Sequence, residues 1–213
     1  MRTTQSQRPL FCVLLLVLCA AHEPAKPAGQ GVFDTTGDIG KCDLAGSTEF
    51  NAAREEYRLT GSGANIWGTE DAFQFACRKT TGDFTITADI AFVGEGKNAH
   101  RKAGLMFRQS LAADAPYADV MVHGDGLIAL QYRPTAGAAT TQAKSDVKAP
   151  VTVQLQRRGN VFTLSVAAKG EAMRSVSTAT VELPPAGYLG LGVSSHDAAV
   201  REAAVFSNVS IKP

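Results

Sequence analysis

From Phe84 to Phe92 apolar and polar residues alternate without a break (FTITADIAF), setting Phe84, Ile86, Ala88, Ile90 and Phe92 against threonines and Asp89. Side chains of an extended strand point alternately to its two faces, so this segment reads as a strand with one buried face. The same rhythm recurs over Glu56–Thr60, Ala72–Arg78, Ala103–Arg108, Ala118–His123, Leu127–Arg133, Val151–Arg157, Val161–Ala167, Gly187–Ser194 and Ala203–Ile211. In Ala72–Arg78 it puts Phe73, Phe75 and Cys77 on one face. No stretch keeps a helical stripe for three turns. Turn signals stand between the strands at Gly82-Asp83, Gly124-Asp125-Gly126 and Gly159-Asn160. About ten short strands with tight turns predict an all-β fold of two stacked antiparallel sheets, because a second sheet is the usual cover for so many half-apolar faces.

The N-terminus carries a different pattern. Arg2 and Arg8 precede an unbroken apolar run from Leu10 to Leu18, and Cys19-Ala20-Ala21 supplies small residues. This is the layout of an export signal, residues 1–21, cleaved near Ala21. The run is too short to cross a bilayer as a retained helix, for which about 20 apolar residues are needed. Cys19 is a candidate for lipid attachment, although Leu18 stands where lipoprotein signals usually carry a small residue. Residues 22–33, rich in Pro, Ala and Gly, read as a tether, leaving 34–213 as one sandwich domain. The expected location is periplasmic or extracellular.

With Cys12 and Cys19 in the leader, Cys42 and Cys77 are the only mature pair, and an oxidising compartment predicts a disulfide between them. Such a bond would contribute about 3 to 4 kcal/mol in the chain-entropy model. The net charge of +1 gives no bulk field for nucleic acid or an anionic membrane.

Three segments, LTGSGANIWGTEDAFQF (Leu59 to Phe75), GDFTITA (Gly82 to Ala88) and KAGLMFR (Lys102 to Arg108), together resemble a bacterial concanavalin A-like domain often found beside TolB-like propeller repeats. GLGVSSHD (Gly190 to Asp197) and AVFSNV (Ala204 to Val209) are similar to its last two strands. The resemblance covers nearly the whole mature chain and implies a jelly-roll sandwich related at a distance to lectins, carbohydrate-binding modules and glycan-cleaving enzymes. Propeller repeats are absent from the sequence. Fold alone does not decide among those functions.

In such sandwiches one sheet is usually concave, and its outward residues form the natural groove. Alternation places Gln74, Arg78, Arg108, Gln131 or Tyr132 with Arg133, and Ser194 with His196 away from the core. A sugar site needs a flat apolar surface and planar hydrogen-bonding groups, which the single tryptophan, Trp67, and these glutamines and arginines can supply. A lone tryptophan also serves as a packing residue, and Arg and Gln on a sheet face are commonly just solvated. An enzyme of this class would need two carboxyls roughly 5 to 10 Å apart. Glu55-Glu56 and Glu70-Asp71 are adjacent pairs whose members point to opposite faces, and the E-x-D-x-x-E strand pattern of glucanases is missing. Ser194-Ser195-His196-Asp197 lacks the elbow that a nucleophilic serine requires.

His100, His123 and His196 are far apart in sequence and suggest no metal cluster. No cofactor is expected, with structural calcium, at Asp34, Asp38 or Asp125, as the one open case. The sequence reading is therefore a non-catalytic module for carbohydrate or glycan, with Trp67, Gln74, Arg78, Arg108, Gln131, Arg133 and His196 at its site. Two alternatives stand beside it: a glycoside-acting hydrolase using Glu70 or Asp71, and a protein-interaction domain of the cell envelope.

Overall fold

The computed structural model describes residue 1 and residues 31–213. The expected export signal past Met1, its cleavage point, Cys19 and most of the tether lie outside the described residues. Within them the chain forms sixteen strands, numbered in chain order, and no helix. One sheet of seven strands runs β1 (Thr35–Ile39), β6 (Phe73–Thr81), β15 (Ala186–Ser194), β8 (Lys102–Arg108), β9 (Tyr117–His123), β10 (Leu127–Arg133), β11 (Thr141–Lys148). The other runs β14 (Arg174–Thr180), β13 (Val161–Ala167), β12 (Thr152–Arg158), β7 (Phe84–Phe92), β16 (Glu202–Lys212), β3 (Glu56–Gly61), β2 (Ser47–Asn51). Every pairing is antiparallel. A two-stranded ribbon, β4 (Ile66–Trp67) with β5 (Glu70–Asp71), stands apart from both. The architecture is an all-β jelly-roll sandwich.

All ten strands expected from alternation are present, with ends within three residues. Gly124-Asp125-Gly126 and Gly159-Asn160 close the β9–β10 and β12–β13 hairpins, with Gly126 and Gly159 at φ of 85° and 59°, where a side chain would be strained. Gly82-Asp83 instead carries the chain from one sheet to the other, since β6 and β7 belong to different sheets.

Between the sheets lies one apolar layer. Ala103, Leu105 and Phe107 of β8 and Ala118, Val120 and Val122 of β9 meet Phe84, Ile86, Val153, Leu155, Phe162 and Phe206 from the opposite sheet. Phe107 lies 5.3 Å from Phe84 and 6.2 Å from Phe162 between ring centroids. The Arg157 guanidinium sits 4.9 Å over the Phe107 ring while donating to the carbonyls of Gly159, Leu183 and Pro184, so each of its three nitrogens has a partner. Truncating Phe107 would leave a cavity worth about 3 to 5 kcal/mol.

A second, smaller cluster lies on the opposite face of the first sheet. Phe73, Phe75 and Cys77 of β6 join Met106, Tyr117, Met121 and Ile66 there, under the ribbon. This reverses the expected orientation of β6: its aromatic face leaves the inter-sheet core, which it meets through Ala76. Gln74 points with Ala76 toward the second sheet, buried and donating to the hydroxyls of Thr36 and Thr48, and Arg78 further along is exposed.

The expected disulfide is not formed. Cys42 and Cys77 are both free thiols. In the β1–β6 register Cys77 faces Thr35, whereas Cys42 follows Ile39 at the other end of β1. Thr35 and Ile39 are about 13 Å apart along an extended strand, beyond the roughly 7 Å that a disulfide spans between Cα atoms. Burial pushes the Cys77 thiol up to about 12 and Cys42 up to about 11, so both stay protonated at neutral pH.

Candidate functional site

The outer face of the first sheet is built in rows set by strand register. Arg108 of β8, Tyr117 of β9 and Arg133 of β10 stand abreast, then Met106, Asp119 and Gln131, and further along Lys102 beside His123. Alternation therefore does turn Arg108, Gln131 and Arg133 away from the main core. It does not bring the arginines to solvent. The ribbon, the segment 109–116 and the segment 134–140 fold over this end of the face, and both guanidiniums are fully buried.

What draws those segments down is the carboxylate of Asp71, which hangs from the ribbon into the arginine row. Arg133 grips it with two parallel bonds, Nη1 to Oδ2 at 2.8 Å and Nη2 to Oδ1 at 2.7 Å, and Arg108 adds Nη1 to Oδ2 at 3.3 Å. Paired N–H donors in this fork are the strongest ordinary side-chain bonds. Most other guanidinium bonds go to main-chain oxygens: Arg133 to Gly68, Ala113, Ala115 and Ala138, Arg108 to Ser110 and Ala112. Burial pushes the Asp71 carboxyl upward, and the two cations pull against it. Arg108 and Arg133 are thus corrected from groove residues to the clamp that closes one end of the face.

Beneath the ribbon, Asp119 is sealed completely, and neither carboxyl oxygen has a hydrogen-bond partner among the described residues. Burial holds its pKa well above the usual carboxylate range, with the Lys102 ammonium drawing it back. Lys102 itself is lowered by burial and steadied by Asp119 and Asp71. Its Nζ donates to the Ile66 carbonyl at 2.8 Å and to Gln131 Oε1 at 3.3 Å, and lies 5.3 Å from the Trp67 ring centroid.

Beyond Lys102 the face opens into a pocket of about 260 Å³. Trp67, half-buried at the end of β4, forms one wall with Asn65. Gln131 of β10, and Gln142 and Lys144 of β11, form the opposite wall, while Lys102, His123 and Leu127 supply more of the lining. His100 and His196 complete it, so three histidines widely separated in sequence meet here, His100 with ring centroids 6.4 Å from His123 and 5.6 Å from His196. Register explains the meeting: Ser194, Lys102 and His123 stand side by side, and His100 and His196 lie just past the ends of those strands.

Two of the rings are shifted toward the neutral form. His123 Nδ1 donates to the Leu127 carbonyl at 3.2 Å, and burial, then the nearby Lys102 charge, lowers its pKa to about 4. The Ile66 amide donates to Asn65 Oδ1, which turns the Asn65 amide nitrogen toward His196 Nε2 at 3.0 Å and makes that ring nitrogen an acceptor. Burial lowers His196 as well. Among the described residues no group of three or more potential ligands could hold a metal ion.

Of the sequence candidates, then, Trp67, Gln131 and His196 converge on one pocket, Arg108 and Arg133 build the floor beside it, and Gln74 and Arg78 lie on the other side of the sheet. Lys102, His100, His123, Asn65, Gln142 and Lys144 are additions. A larger groove of about 780 Å³ runs along the second sheet past Asp89, Pro150, Lys169 and Asn208, but no aromatic side chain lines it.

No family model matches the sequence, and no curated protein matches it. The resemblance to the domain that accompanies TolB-like propellers finds no support in these comparisons. Solved structures do match the fold. The carbohydrate-binding module CBM66 from Bacillus subtilis is 18% identical with a TM-score of 0.54, covering 81% of this chain and 94% of its own. A prokaryotic β-1,3-1,4-glucanase (lichenase) from a mouse hindgut metagenome is 12% identical, with a TM-score of 0.52 and coverage of 87% and 97%. A protein of unknown function from Saccharomyces cerevisiae gives 16% identity, a TM-score of 0.59 and coverage of 78% and 91%. The same sandwich thus serves both a sugar-binding module and a glycan-cleaving enzyme.

Proposed function

We propose that this chain is a carbohydrate-binding module that seats a sugar residue in the pocket beside Trp67. The observation that carries the reading is the half-exposed indole set next to Gln131, Gln142 and His196 in one cavity on the outer face of a jelly-roll sheet. An indole offers a flat apolar surface to the C–H face of a pyranose, and neighbouring amides address its hydroxyls. A pocket of this volume is below the range for drug-sized ligands, and suits one ring of a longer chain.

The binding reading is favoured over hydrolysis by the state of the carboxyls. Cleavage of a glycosidic bond calls for two carboxyl groups facing each other across the substrate. Here Asp71 is committed to two arginines, Asp119 is sealed under the ribbon, and no Asp or Glu lines the pocket. An exported setting, suggested by the N-terminal residues, belongs to the same proposal; N-terminal sequencing of protein recovered outside the cytoplasm should begin near His22.

The test is calorimetric titration of a polysaccharide and oligosaccharide panel against the full mature chain, with Trp67→Ala and Arg78→Ala variants alongside. Saturable binding that falls by at least about tenfold in Trp67→Ala and survives in Arg78→Ala is the expected result. Equal binding in all three proteins would move the ligand elsewhere on the surface.

A further inference from the structure

The polar lining of the pocket is lopsided. Hydroxyl recognition ordinarily mixes donors with acceptors, because every sugar hydroxyl brings one proton to give as well as lone pairs. Here each side-chain amide oxygen already accepts one bond: Gln131 Oε1 from Lys102, Asn65 Oδ1 from the Ile66 amide, and Gln142 Oε1 from Gln131 Nε2 at 3.4 Å. Several donors are free. Lys102 uses two of its three ammonium protons internally, and the Lys144 ammonium and Gln142 Nε2 have no partner among the described residues. Against them stand His123 Nε2 as a free acceptor and the second lone pairs of those amide oxygens.

Neither buried carboxyl near the pocket opens into it, for Asp119 is sealed and Asp71 is held by its arginines. Both lysines line the cavity and no carboxyl group does, although Asp119 and Asp71 act on the Lys102 charge from within the protein. Lys102 is held in place by its bonds to Ile66 and Gln131, and Lys144 stands exposed on β11 across from Ala129.

We infer that the sugar taken by this pocket carries an acceptor-only anionic substituent, a carboxylate or a sulfate, received between Lys102 and Lys144. A carboxylate or sulfate accepts several hydrogen bonds and gives none, which matches a lining that holds two ammonium groups with free protons and no carboxyl group. The inference rests on the carbohydrate reading above and adds the chemical class of its ligand.

The experiment pairs charged saccharides with their neutral partners: a galacturonate trimer with its methyl ester, and a sulfated galactan oligosaccharide with its desulfated form, together with neutral glucan and xylan oligomers. Each is titrated against the mature wild type, Lys144→Gln and Lys102→Met, with circular dichroism as a check of folding. Preference for a charged form of at least about tenfold, narrowed in either variant, is expected for a charge-assisted contact. Because Lys144 is exposed, its variant keeps the test valid even where Lys102→Met folds poorly; a narrowing of about threefold to fivefold is the scale for an exposed charge. The carboxylate and sulfate arms tell the two anions apart. Neutral forms binding as well as charged ones, or a preference that neither variant narrows, overturns the inference and leaves the carbohydrate reading standing. Absence of binding to every saccharide overturns both.

Discussion

The two ends of the outer face are made from the same strands and obey opposite rules. At the closed end, around Asp71, Arg108 and Arg133, every charged group is hydrogen-bonded inside the protein and no solvent reaches it. At the open end, around Trp67, Lys102 and Gln131, the polar groups are only partly satisfied by their neighbours. The difference teaches that arginines on a groove face are not by themselves evidence of a ligand. In this fold they hold the cover down, and the binding capacity lies where cover and sheet part.

The largest expected effect comes from cutting the closed end's central charge. Asp71→Ala leaves two guanidiniums buried without their partner and should cost about 3 to 5 kcal/mol in urea unfolding. A loss below about 1 kcal/mol would show that the cover is held by its apolar contacts instead.

Next in size is a pH effect at the boundary between the two ends. His123 is depressed in the folded chain to about 4, from an ordinary value near 6.5, so the unfolded chain binds more protons between those pH values. Stability from keeping this ring neutral is therefore present near pH 7 and is lost as pH falls toward 4, by about 3 kcal/mol at most. Asp119, raised by burial, works in the opposite sense. Subtracting the unfolding profile of His123→Gln from that of the wild type isolates the histidine; parallel profiles would mean that the ring is free to protonate where it sits.

Smaller still is the response of the open end. Lys144→Gln should change unfolding free energy by no more than about 0.5 kcal/mol, as an exposed substitution does. A larger loss would make the pocket wall part of the framework and blur the contrast with the closed end. The smallest effect expected is that of a reductant: with Cys42 and Cys77 both free, dithiothreitol should leave the melting temperature unmoved within about 1 °C. A clear drop would restore the disulfide.

The interior strands were legible because each has an apolar face to bury. The four strands at the sheet edges were not: TTGDI, STEFN, TQAKSDVK and RSVSTAT are largely polar, as edges that must resist pairing with other chains tend to be. Alternation also separates two faces without saying which one meets the main core. That is why Gln74 and Arg78 were assigned to the groove when Phe73, Phe75 and Cys77 in fact occupy it. Trp67, Gln131 and His196 could be picked out by residue type. Lys102 and His123 become neighbours only through antiparallel register, which distance along the chain conceals.

Trp67 is the only tryptophan in the chain, and it stands at the pocket rather than in either apolar cluster. Indole emission from this protein is accordingly a local optical signal, sensitive to what enters the pocket and to the ammonium beside the ring, and silent about the packing between the sheets. A fluorescence titration reads occupancy directly. A fluorescence melt reads the undocking of the ribbon, and its separation from a far-ultraviolet dichroism melt would measure how far the ribbon can lift before the sandwich opens.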